Sequence, residues 1–267
     1  MTIAHLKEII RRQRNFLCVG LDSDFDRIPE KLKSHDRPVL SFNKAIIDAT
    51  KEHCVAYKLN TAFYESRGSE GWKDLEDTIA YIPKDKYVIA DAKRGDIGNT
   101  ADQYAKAFFK HLNADALTVN PYMGMDTLEP FKQYADKSII ALGLTSNRGS
   151  EDIEQLCTVK NSPVYFQTMK KCAETIDSDR LMFVVGATHG SMMGAIRDRF
   201  PKHFFLVPGV GAQGGSAEEV FKHLSNSDIG ILINSSRGII FASSEGDFSE
   251  KAGEKAAELA EWMATKF

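Results

Sequence analysis

Three ionisable side chains follow a short apolar run and could perform acid-base chemistry: Asp91, Lys93 and Asp96. The run before them, residues 87–90, has the length and composition of a buried strand, and residues 100–109 have the pattern of a helix. Alternation along a strand would point Asp91 and Lys93 to the same face. A solvated loop with an internal ion pair could carry the same residues. Their position directly after a strand, where α/β enzymes hold reactive groups, favours a catalytic site.

Short apolar segments alternate with amphipathic stretches along the whole chain. The apolar segments predict strands at residues 16–21, 55–59, 87–90, 116–119, 138–144, 182–186, 204–210 and 229–233. The amphipathic stretches predict helices at residues 39–53, 101–112, 164–176, 217–224 and 251–267, and a further helix over residues 2–14 precedes the first strand. Strand and helix units that alternate over about 250 residues predict an α/β fold, a (β/α)8 TIM barrel with residues 1–267 as a single domain. An open doubly wound sheet fits the same pattern.

The composition limits the classes of partner. A chain of 267 residues with 43% hydrophobic content can bury one large core. Its net charge of −3, with both signs interspersed, argues against a nucleic acid polymer as partner. No apolar run reaches the length that spans a membrane, and residues 2–14 have the pattern of an amphipathic helix rather than of a signal peptide. We therefore expect a cytoplasmic protein without a membrane partner.

Cysteine and histidine spacing gives no indication of a metal site. The four cysteines form no Cys-x-x-Cys pair, and Cys18 and Cys54 lie in or beside apolar runs. The seven histidines, including His189, lack the spacing of metal ligands. We expect buried thiols, structural or surface histidines, and no metal site.

Polar side chains stand at the carboxyl ends of the predicted strands, where barrel enzymes build their active sites. They are Asp22 after the first strand, Lys58 and Asn60 at the second, and Thr145 and Ser146 after the fifth. Lys58 has apolar neighbours and therefore needs an anion or water at its ammonium group. Asp22 could equally begin a turn as a capping residue.

Two glycine-containing loops follow the last two predicted strands. Residues 208–215 read Pro-Gly-Val-Gly-Ala-Gln-Gly-Gly, and residues 234–238 read Asn-Ser-Ser-Arg-Gly. Glycines let backbone N–H groups approach phosphate oxygens, and Arg237 can bind the dianion through two hydrogen bonds. Glycine-rich loops also occur as plain turns. The neighbouring Ser-Arg-Gly favours a phosphate site, with Gln213 and Arg237 as ligands.

These motifs together resemble those of the orotidine 5′-phosphate decarboxylase family, and the matches extend over nearly the whole chain. The central match is Asp91-x-Lys93-x-x-Asp96-Ile97-Gly98-Asn99-Thr100. The spacing resembles the bacterial subgroup called type 2. Supporting matches are Leu21-Asp22, Lys58-x-Asn60, residues 118–124 (Thr-Val-Asn-Pro-Tyr-Met-Gly), residues 144–147 (Leu-Thr-Ser-Asn), residues 208–215 and Ser236-Arg237-Gly238.

The resemblance implies a decarboxylation of orotidine 5′-monophosphate that uses no cofactor. The reaction leaves an unstabilised carbanion at C6 of the pyrimidine, which a preorganised positive charge must stabilise. In the family pattern Lys93 supplies that charge and donates the proton that replaces carbon dioxide. Asp91 lies beside the departing carboxylate. Lys58 and Asp96 complete an alternating network that keeps Lys93 protonated.

The resemblance also implies the substrate contacts and a homodimer with shared active sites. Asp96 and Thr100 would reach into the pocket of the partner subunit. Asp22 and Asn60 would hold ribose hydroxyls, and either Thr145 or Ser146 would meet the pyrimidine edge. The remaining expected ligands surround the phosphate and are Pro208, Gln213, Gly214, Ser236 and Arg237.

Three other functions fit parts of the pattern. Related barrels place a magnesium ion on the same acidic residues and act on sugar phosphates, but a cation at Lys58 would repel such a metal. An aldolase that forms a Schiff base needs a neutral lysine, whereas the flanking carboxylates raise the lysine pKa. An inactive barrel that senses a phosphorylated ligand would not need the charged array.

Overall fold

Short apolar runs form the strands, which we describe from a computed structural model covering residues 1–159, 161–210 and 215–267. The strands are β1 (Leu17–Gly20), β2 (Ala56–Asn60), β3 (Tyr87–Arg94), β4 (Ala116–Val119), β5 (Ser138–Leu144), β6 (Leu181–Val185), β7 (Phe204–Val207) and β8 (Ile231–Ser235). Every residue of β1, β4, β6, β7 and β8 is buried. Burial along a whole strand is typical of parallel sheets that are covered on both faces.

Within the described residues the strands follow one another in chain order and close into a barrel. Neighbouring strands pair in parallel, for example at Gly20 with Lys58 and at Asn60 with Asp91. The predicted (β/α)8 TIM barrel is therefore confirmed, and the open doubly wound sheet is wrong.

Helices occupy the connections between the strands. They are α1 (Ile3–Gln13), α2 (Pro38–Thr50), α3 (Ala62–Glu65), α4 (Gly68–Tyr81), α5 (Gly98–Ala105), α6 (Glu129–Lys132), α7 (Val164–Thr175), α8 (Gly190–Arg199), α9 (Ala217–Leu224), α10 (Arg237–Ile240) and α11 (Phe248–Ala264). α5 continues as a π-helix over Lys106–His111, and short 3₁₀ helices lie at Phe25–Arg27, Glu30–Leu32, Lys51–His53, Pro121–Met123, Met125–Leu128 and Arg148–Asp152. Among the helices so described, none combines the length and apolar character needed to cross a bilayer.

Two strand ends differ from the sequence prediction by three residues or more. β3 continues past Ala90 to Arg94, so the charged motif begins inside the strand rather than after it. β7 ends at Val207 rather than at Val210. Pro208 follows directly and has no backbone N–H group for a strand ladder, which explains the earlier end.

The chain divides into two compact units, residues 1–7 with 93–233 and residues 8–92 with 234–267. In the second unit the ring of Phe42, on α2, stacks on the rings of Phe241 and Phe248 at centroid distances of 5.7 and 5.3 Å. Cys18 and Cys54 are buried free thiols in this unit, as predicted. Burial raises the pKa of Cys54 to about 12. That the chain folds as a single domain stays a prediction.

In the first unit a buried guanidinium joins several chain segments. Arg197, near the end of α8, donates to the carbonyl oxygens of Leu224 at 2.7 Å, His203 at 2.8 Å and Gly230 at 3.0 Å. It also donates to the carbonyls of Phe200 and Pro201. Because carbonyl oxygens replace the water that this cation loses on burial, the arginine can lie inside the protein without a carboxylate partner.

Candidate active site

Lys58 forms a buried ion cluster with two carboxylates in the second compact unit. Its Nζ atom lies 3.1 Å from Oδ1 of Asp22 and 3.0 Å from Oδ2 of Asp91. The Lys58 side chain is only 4% exposed. Burial alone would lower the pKa of Lys58, but attraction and hydrogen bonds from Asp22 and Asp91 outweigh it and raise the pKa above its ordinary value. The lysine is therefore a permanent ammonium shared by two acids.

The strand register explains how the cluster forms. Gly20 pairs with Lys58, so the residues that follow β1 lie at the level of the lysine, and Leu21 donates its backbone N–H to the Lys58 carbonyl at 2.8 Å. Asn60 pairs with Asp91 on β3. Asn60 itself is half-buried, and its Oδ1 accepts the backbone N–H of Ala62 at 3.2 Å. The strand ends thus carry both carboxylates to the ammonium.

A buried polar network holds the chain next to Asp22. Tyr64 donates its hydroxyl proton to the carbonyl of Leu21 at 2.9 Å. Asn43, on α2, donates to the Tyr64 hydroxyl at 3.0 Å and accepts from Ser23 at 2.5 Å. Asn43 and Tyr64 were not predicted as functional residues. The one sequence signal was an asparagine on the apolar face of an amphipathic helix.

Lys93 lies near the end of β3 with an unusual backbone conformation. Its φ angle is +49°, in the left-handed region that side chains other than glycine rarely adopt. Its backbone N–H donates to Oγ1 of Thr118, on β4, at 2.9 Å. The side chain is exposed. A strained residue held by a neighbouring strand is a common feature of functional sites. Thr118 lies in one of the matching segments, but the sequence predicted no role for it.

Asp96 and Thr100 lie beyond Lys93 in the first compact unit. Asp96 is half-buried, and its Oδ1 accepts the backbone N–H of Ile97 at 2.8 Å. Thr100 is exposed in the first turn of α5. Both residues are at least partly accessible, and the apolar side chains of Ile97 and Tyr122 in the same compact unit are exposed.

Thr145 is held by residues that the sequence did not indicate. Oε2 of Glu154 accepts the Thr145 backbone N–H at 2.7 Å, and Oε1 lies 2.7 Å from the Thr145 hydroxyl. Nε2 of His189 lies 2.6 Å from the Thr145 carbonyl oxygen. A Cβ atom built on Gly186 would lie 2.7 Å from the backbone nitrogen of Ser146, so only glycine permits this approach. The segment after β5 is thereby fixed from several sides.

The predicted phosphate ligands are only partly within the described residues. Pro208 is half-buried, and its carbonyl accepts the backbone N–H of Ala187 at 3.1 Å. Gly209 follows with a φ angle of +92°. Gln213 and Gly214 lie outside the described residues.

The other part of the predicted phosphate site lies after β8. Arg237 is exposed at the start of α10 and forms no ion pair with any described residue. The Ser236 Oγ atom is buried and has no hydrogen-bond partner in the part of the chain described here. A Cβ atom on Gly20 would lie 2.7 Å from Cβ of Ser236, so the end of β1 approaches this loop closely. An uncommitted guanidinium beside a hydroxyl suits an oxyanion ligand.

No group of three or more histidine, cysteine, aspartate or glutamate side chains arranged to hold a metal ion occurs among the described residues. Asp22 and Asp91, the carboxylates nearest the predicted centre, already share the ammonium of Lys58. These two carboxylates therefore bind the ammonium group of a lysine of this chain.

Comparison with known proteins identifies the family of this chain. The sequence model of the orotidine 5′-phosphate decarboxylase / HUMPS family matches residues 15–251. The chain belongs to this family. It is 51% identical to the orotidine 5′-phosphate decarboxylase of Christiangramia forsetii over 100% of this chain and 98% of that protein. It is also 51% identical to the enzyme of the same name from Porphyromonas gingivalis, over 98% and 96% of the two chains.

Solved structures of the family have the same fold. The OMP decarboxylase of Leishmania donovani superposes with a TM-score of 0.83 at 35% identity and covers 99% of both chains. The UMP synthase of the same organism superposes with a TM-score of 0.83 at 38% identity over 97% of this chain. This chain spans 56% of that synthase. Membership of the family thus rests on sequence and on three-dimensional structure together.

Proposed function

We propose that this protein converts orotidine 5′-monophosphate into uridine 5′-monophosphate and carbon dioxide, the final step of de novo pyrimidine nucleotide synthesis, without a cofactor. It is then a carbon–carbon lyase. The observation that carries the proposal is the buried pair of Lys58 and Asp91, two residues before Lys93, in a chain of the orotidine 5′-phosphate decarboxylase / HUMPS family.

The proposed reaction needs a positive charge and a proton at one carbon. The bond between C6 and the carboxylate breaks, its electron pair stays on C6, and carbon dioxide leaves. The Lys93 ammonium stabilises the developing carbanion and transfers a proton to C6, which leaves Lys93 as a neutral amine. Solvent protonates the amine before the next turnover. Fixed charges stabilise such a transition state well because they need no reorganisation.

The fixed charges around Lys93 have separate roles. Asp91 lies beside the substrate carboxylate, and their repulsion ends when neutral carbon dioxide departs. Lys58 holds Asp91 ionised and in one orientation through the 3.0 Å ion pair. Asp96 completes the array of alternating charges. The charge on Lys58 also disfavours a metal ion at Asp91. In the magnesium-dependent sugar-phosphate barrels of the same superfamily, by contrast, the acidic residues bind the metal.

The remaining predicted residues bind the substrate away from C6. Asp22 accepts hydrogen bonds from the ribose hydroxyls, Asn60 accepts or donates them there, and the Thr145–Ser146 segment meets the pyrimidine edge. The phosphate ligands are Pro208, Gln213, Gly214, Ser236 and Arg237. Binding energy at the phosphate can raise the rate at C6 when it helps to close the site.

We further propose a homodimer that shares its active sites and works in the cytoplasm without a membrane or nucleic acid partner. Asp96 and Thr100 act in the pocket of the partner subunit. Exposed apolar side chains near them support this arrangement, since Ile97 is 57% and Tyr122 79% exposed in the single chain. Apolar groups exposed to this extent beside a polar site are typical of a covered surface.

The decisive experiment follows the loss of orotidine 5′-monophosphate absorbance with purified protein, with and without a chelator. We expect conversion that is insensitive to the chelator and is abolished by Lys93→Ala. Lys106→Ala, an exchange of another lysine in the same compact unit, should retain full activity. A well-folded wild-type protein that does not convert the substrate would refute the proposal. Activity that requires added magnesium would favour the sugar-phosphate alternative.

A further inference from the structure

Two adjoining cavities lie between α7 and α8 and include no residue of the candidate active site. The first has a volume of about 490 Å³ and the second a volume of about 350 Å³. Both are lined by Lys170, on α7, and by Arg199, the last residue of α8, so together they form one groove. Sites for small molecules have volumes of roughly 300–1,000 Å³. The groove between α7 and α8 is therefore large enough for such a ligand.

The groove carries positive charges that are available to a ligand. Arg199 and Lys202 are exposed and form no ion pair with any residue in the described part of the chain. Lys170 is exposed as well, and its Nζ atom lies 3.7 Å from the carboxylate of Glu174, which also lines the groove. Lysine and arginine side chains bind phosphate oxygens through charge-assisted hydrogen bonds. The three cations therefore favour a phosphorylated ligand.

The first cavity also has an aromatic wall and side-chain amides. Phe166, on α7, is half-buried, and its ring stacks with that of Phe200 at a centroid distance of 6.3 Å and an interplanar angle of 23°. Asn161 and Gln167 line the same cavity, and Nε2 of Gln167 donates to the Ser162 hydroxyl at 2.7 Å. Nucleobases stack on aromatic rings, and amide groups both donate to and accept from their polar edges. This part of the groove therefore suits a planar heterocycle.

One carboxylate in the first cavity favours a nucleotide over a simple phosphate ester. Asp198, adjacent to Arg199 on α8, is exposed and lines this cavity. A carboxylate repels phosphate oxygens but accepts hydrogen bonds from hydroxyl groups. The ribose of a nucleotide supplies such hydroxyls. The groove therefore offers a partner for the base, the sugar and the phosphates.

We propose that the groove between α7 and α8 binds a nucleoside triphosphate. The base lies against Phe166, the ribose hydroxyls donate to Asp198, and the phosphates bind the three cations of the groove. Three cations match the charge of a triphosphate better than that of a monophosphate. The groove shares no residue with the site proposed for orotidine 5′-monophosphate, so the two ligands have separate binding sites.

Isothermal titration calorimetry of the full chain with uridine 5′-triphosphate tests this site. We expect a dissociation constant below about 1 mM for the wild-type protein. Lys170→Ala and Arg199→Ala should each raise it about tenfold or more, because each variant loses a charge-assisted hydrogen bond. Lys171→Ala is the matched control, since Lys171 is an exposed lysine on α7 that lines neither cavity. It should bind the nucleotide as the wild type does.

Arg237→Ala distinguishes the groove from the proposed phosphate site of the substrate. Binding to the groove should be unchanged in Arg237→Ala and weakened in Arg199→Ala. The reverse result would place the nucleotide in the active site and overturn the proposal. A wild-type protein that binds no uridine 5′-triphosphate at millimolar concentration would overturn it as well. None of these results depends on turnover of orotidine 5′-monophosphate, so the groove and the proposed reaction can fail separately.

Inorganic triphosphate tests the contribution of the base and the sugar. It should bind about tenfold more weakly than uridine 5′-triphosphate, because it cannot stack on Phe166. Phe166→Leu keeps an apolar side chain without the aromatic face and should reduce this difference. Equal affinity of the wild-type protein for both ligands would show that the groove binds anions without recognising a nucleoside. That result would overturn the assignment of a nucleotide.

Discussion

The Nζ atom of Lys58 lies 3.0 Å from Oδ2 of Asp91, and the same ammonium lies 3.1 Å from Asp22. One buried positive charge therefore forms ion pairs with two carboxylates. The cluster keeps a net negative charge, which favours a second cation beside it. In the sequence, a second lysine, Lys93, follows two residues after Asp91.

Replacement of this shared ammonium should damage both activity and stability. We expect Lys58→Met to reduce kcat/KM by at least about a hundredfold, because Asp91 loses the charge that orients it. The free energy of unfolding should fall by about 3 kcal/mol, since two carboxylates stay behind without a partner. Urea unfolding and steady-state kinetics measure the two effects. Lys86→Met, an exchange of another buried lysine, should leave kcat/KM near the wild-type value.

The backbone angle of Lys93 predicts that a glycine variant is more stable than an alanine variant, the reverse of the usual order. Alanine retains the Cβ atom that makes a φ angle of +49° unfavourable, whereas glycine does not. The free energy of unfolding, measured with urea, should therefore be about 1 kcal/mol higher for Lys93→Gly than for Lys93→Ala. Both variants should lack activity. At Lys170, inside α7, glycine should instead be the less stable by about 1 kcal/mol. The same order at both positions would contradict the strain at Lys93.

Arg237 should act through the phosphate of the substrate. We expect Arg237→Ala to lower kcat/KM for orotidine 5′-monophosphate by about a hundredfold or more, since a charge-assisted bidentate contact is lost. The same variant should change kcat/KM for the nucleoside orotidine very little. Arg12→Ala, at an exposed position on α1, serves as control. Equal losses with both substrates would refute a role at the phosphate.

Shared active sites can be tested by mixing two inactive variants. Lys93→Ala and Asp96→Ala each disable both sites of their own homodimer. In a mixed dimer one site combines the intact Lys93 of one subunit with the intact Asp96 of the other. Statistical exchange of subunits should restore about a quarter of wild-type activity. If Asp96 acts only within its own subunit, the mixture will stay inactive.

His203 should make the stability of the protein depend on pH. Burial, and secondly the charge of Arg197, lower the pKa of His203 to about 4. The unfolded chain binds a proton near pH 6.5, so the unfolded state holds more protons than the folded state between the two values. Stability should therefore fall as the pH drops from 6.5 towards 4, by about 2 kcal/mol once partial exposure is allowed for.

Urea unfolding at pH 7 and pH 4.5 measures this dependence. His203→Phe should flatten it, because the phenyl ring can join the neighbouring rings of Phe183 and Phe200 without titrating. The same exchange at His5, which is exposed, should leave the slope unchanged. A slope that persists in His203→Phe would assign the effect to another group.

The sequence predicted the elements best where a period repeats without interruption. The helix at 217–224 and the strands at 116–119 and 138–144 agree with the structure at both ends. The end of β3 was missed because polar residues normally stop a buried strand, whereas here the ammonium of Lys58 compensates Asp91. No local pattern signals that compensation, because its partner lies 33 residues away.

Residues of the candidate site could be predicted where they belong to a short sequence motif. Residues that contact the site only through the fold could not be predicted. Asp91, Lys93 and Asp96 stand in one short motif. Glu154 was missed, since its contact with Thr145 depends on the path of an irregular segment rather than on a residue spacing. The positive φ angle of Lys93 was also invisible, because lysine gives no sequence signal for a left-handed conformation.

The five carbonyl contacts of Arg197 bear on how this part of the chain folds. The guanidinium can exchange water for protein only when the ends of α8 and α9 and the turn before β8 have all reached their places. Partial assembly would leave a buried cation short of acceptors, which is costly. The loops at 200–203 and 224–230 should consequently open as one cooperative unit, with backbone amides that exchange hydrogen at a common rate.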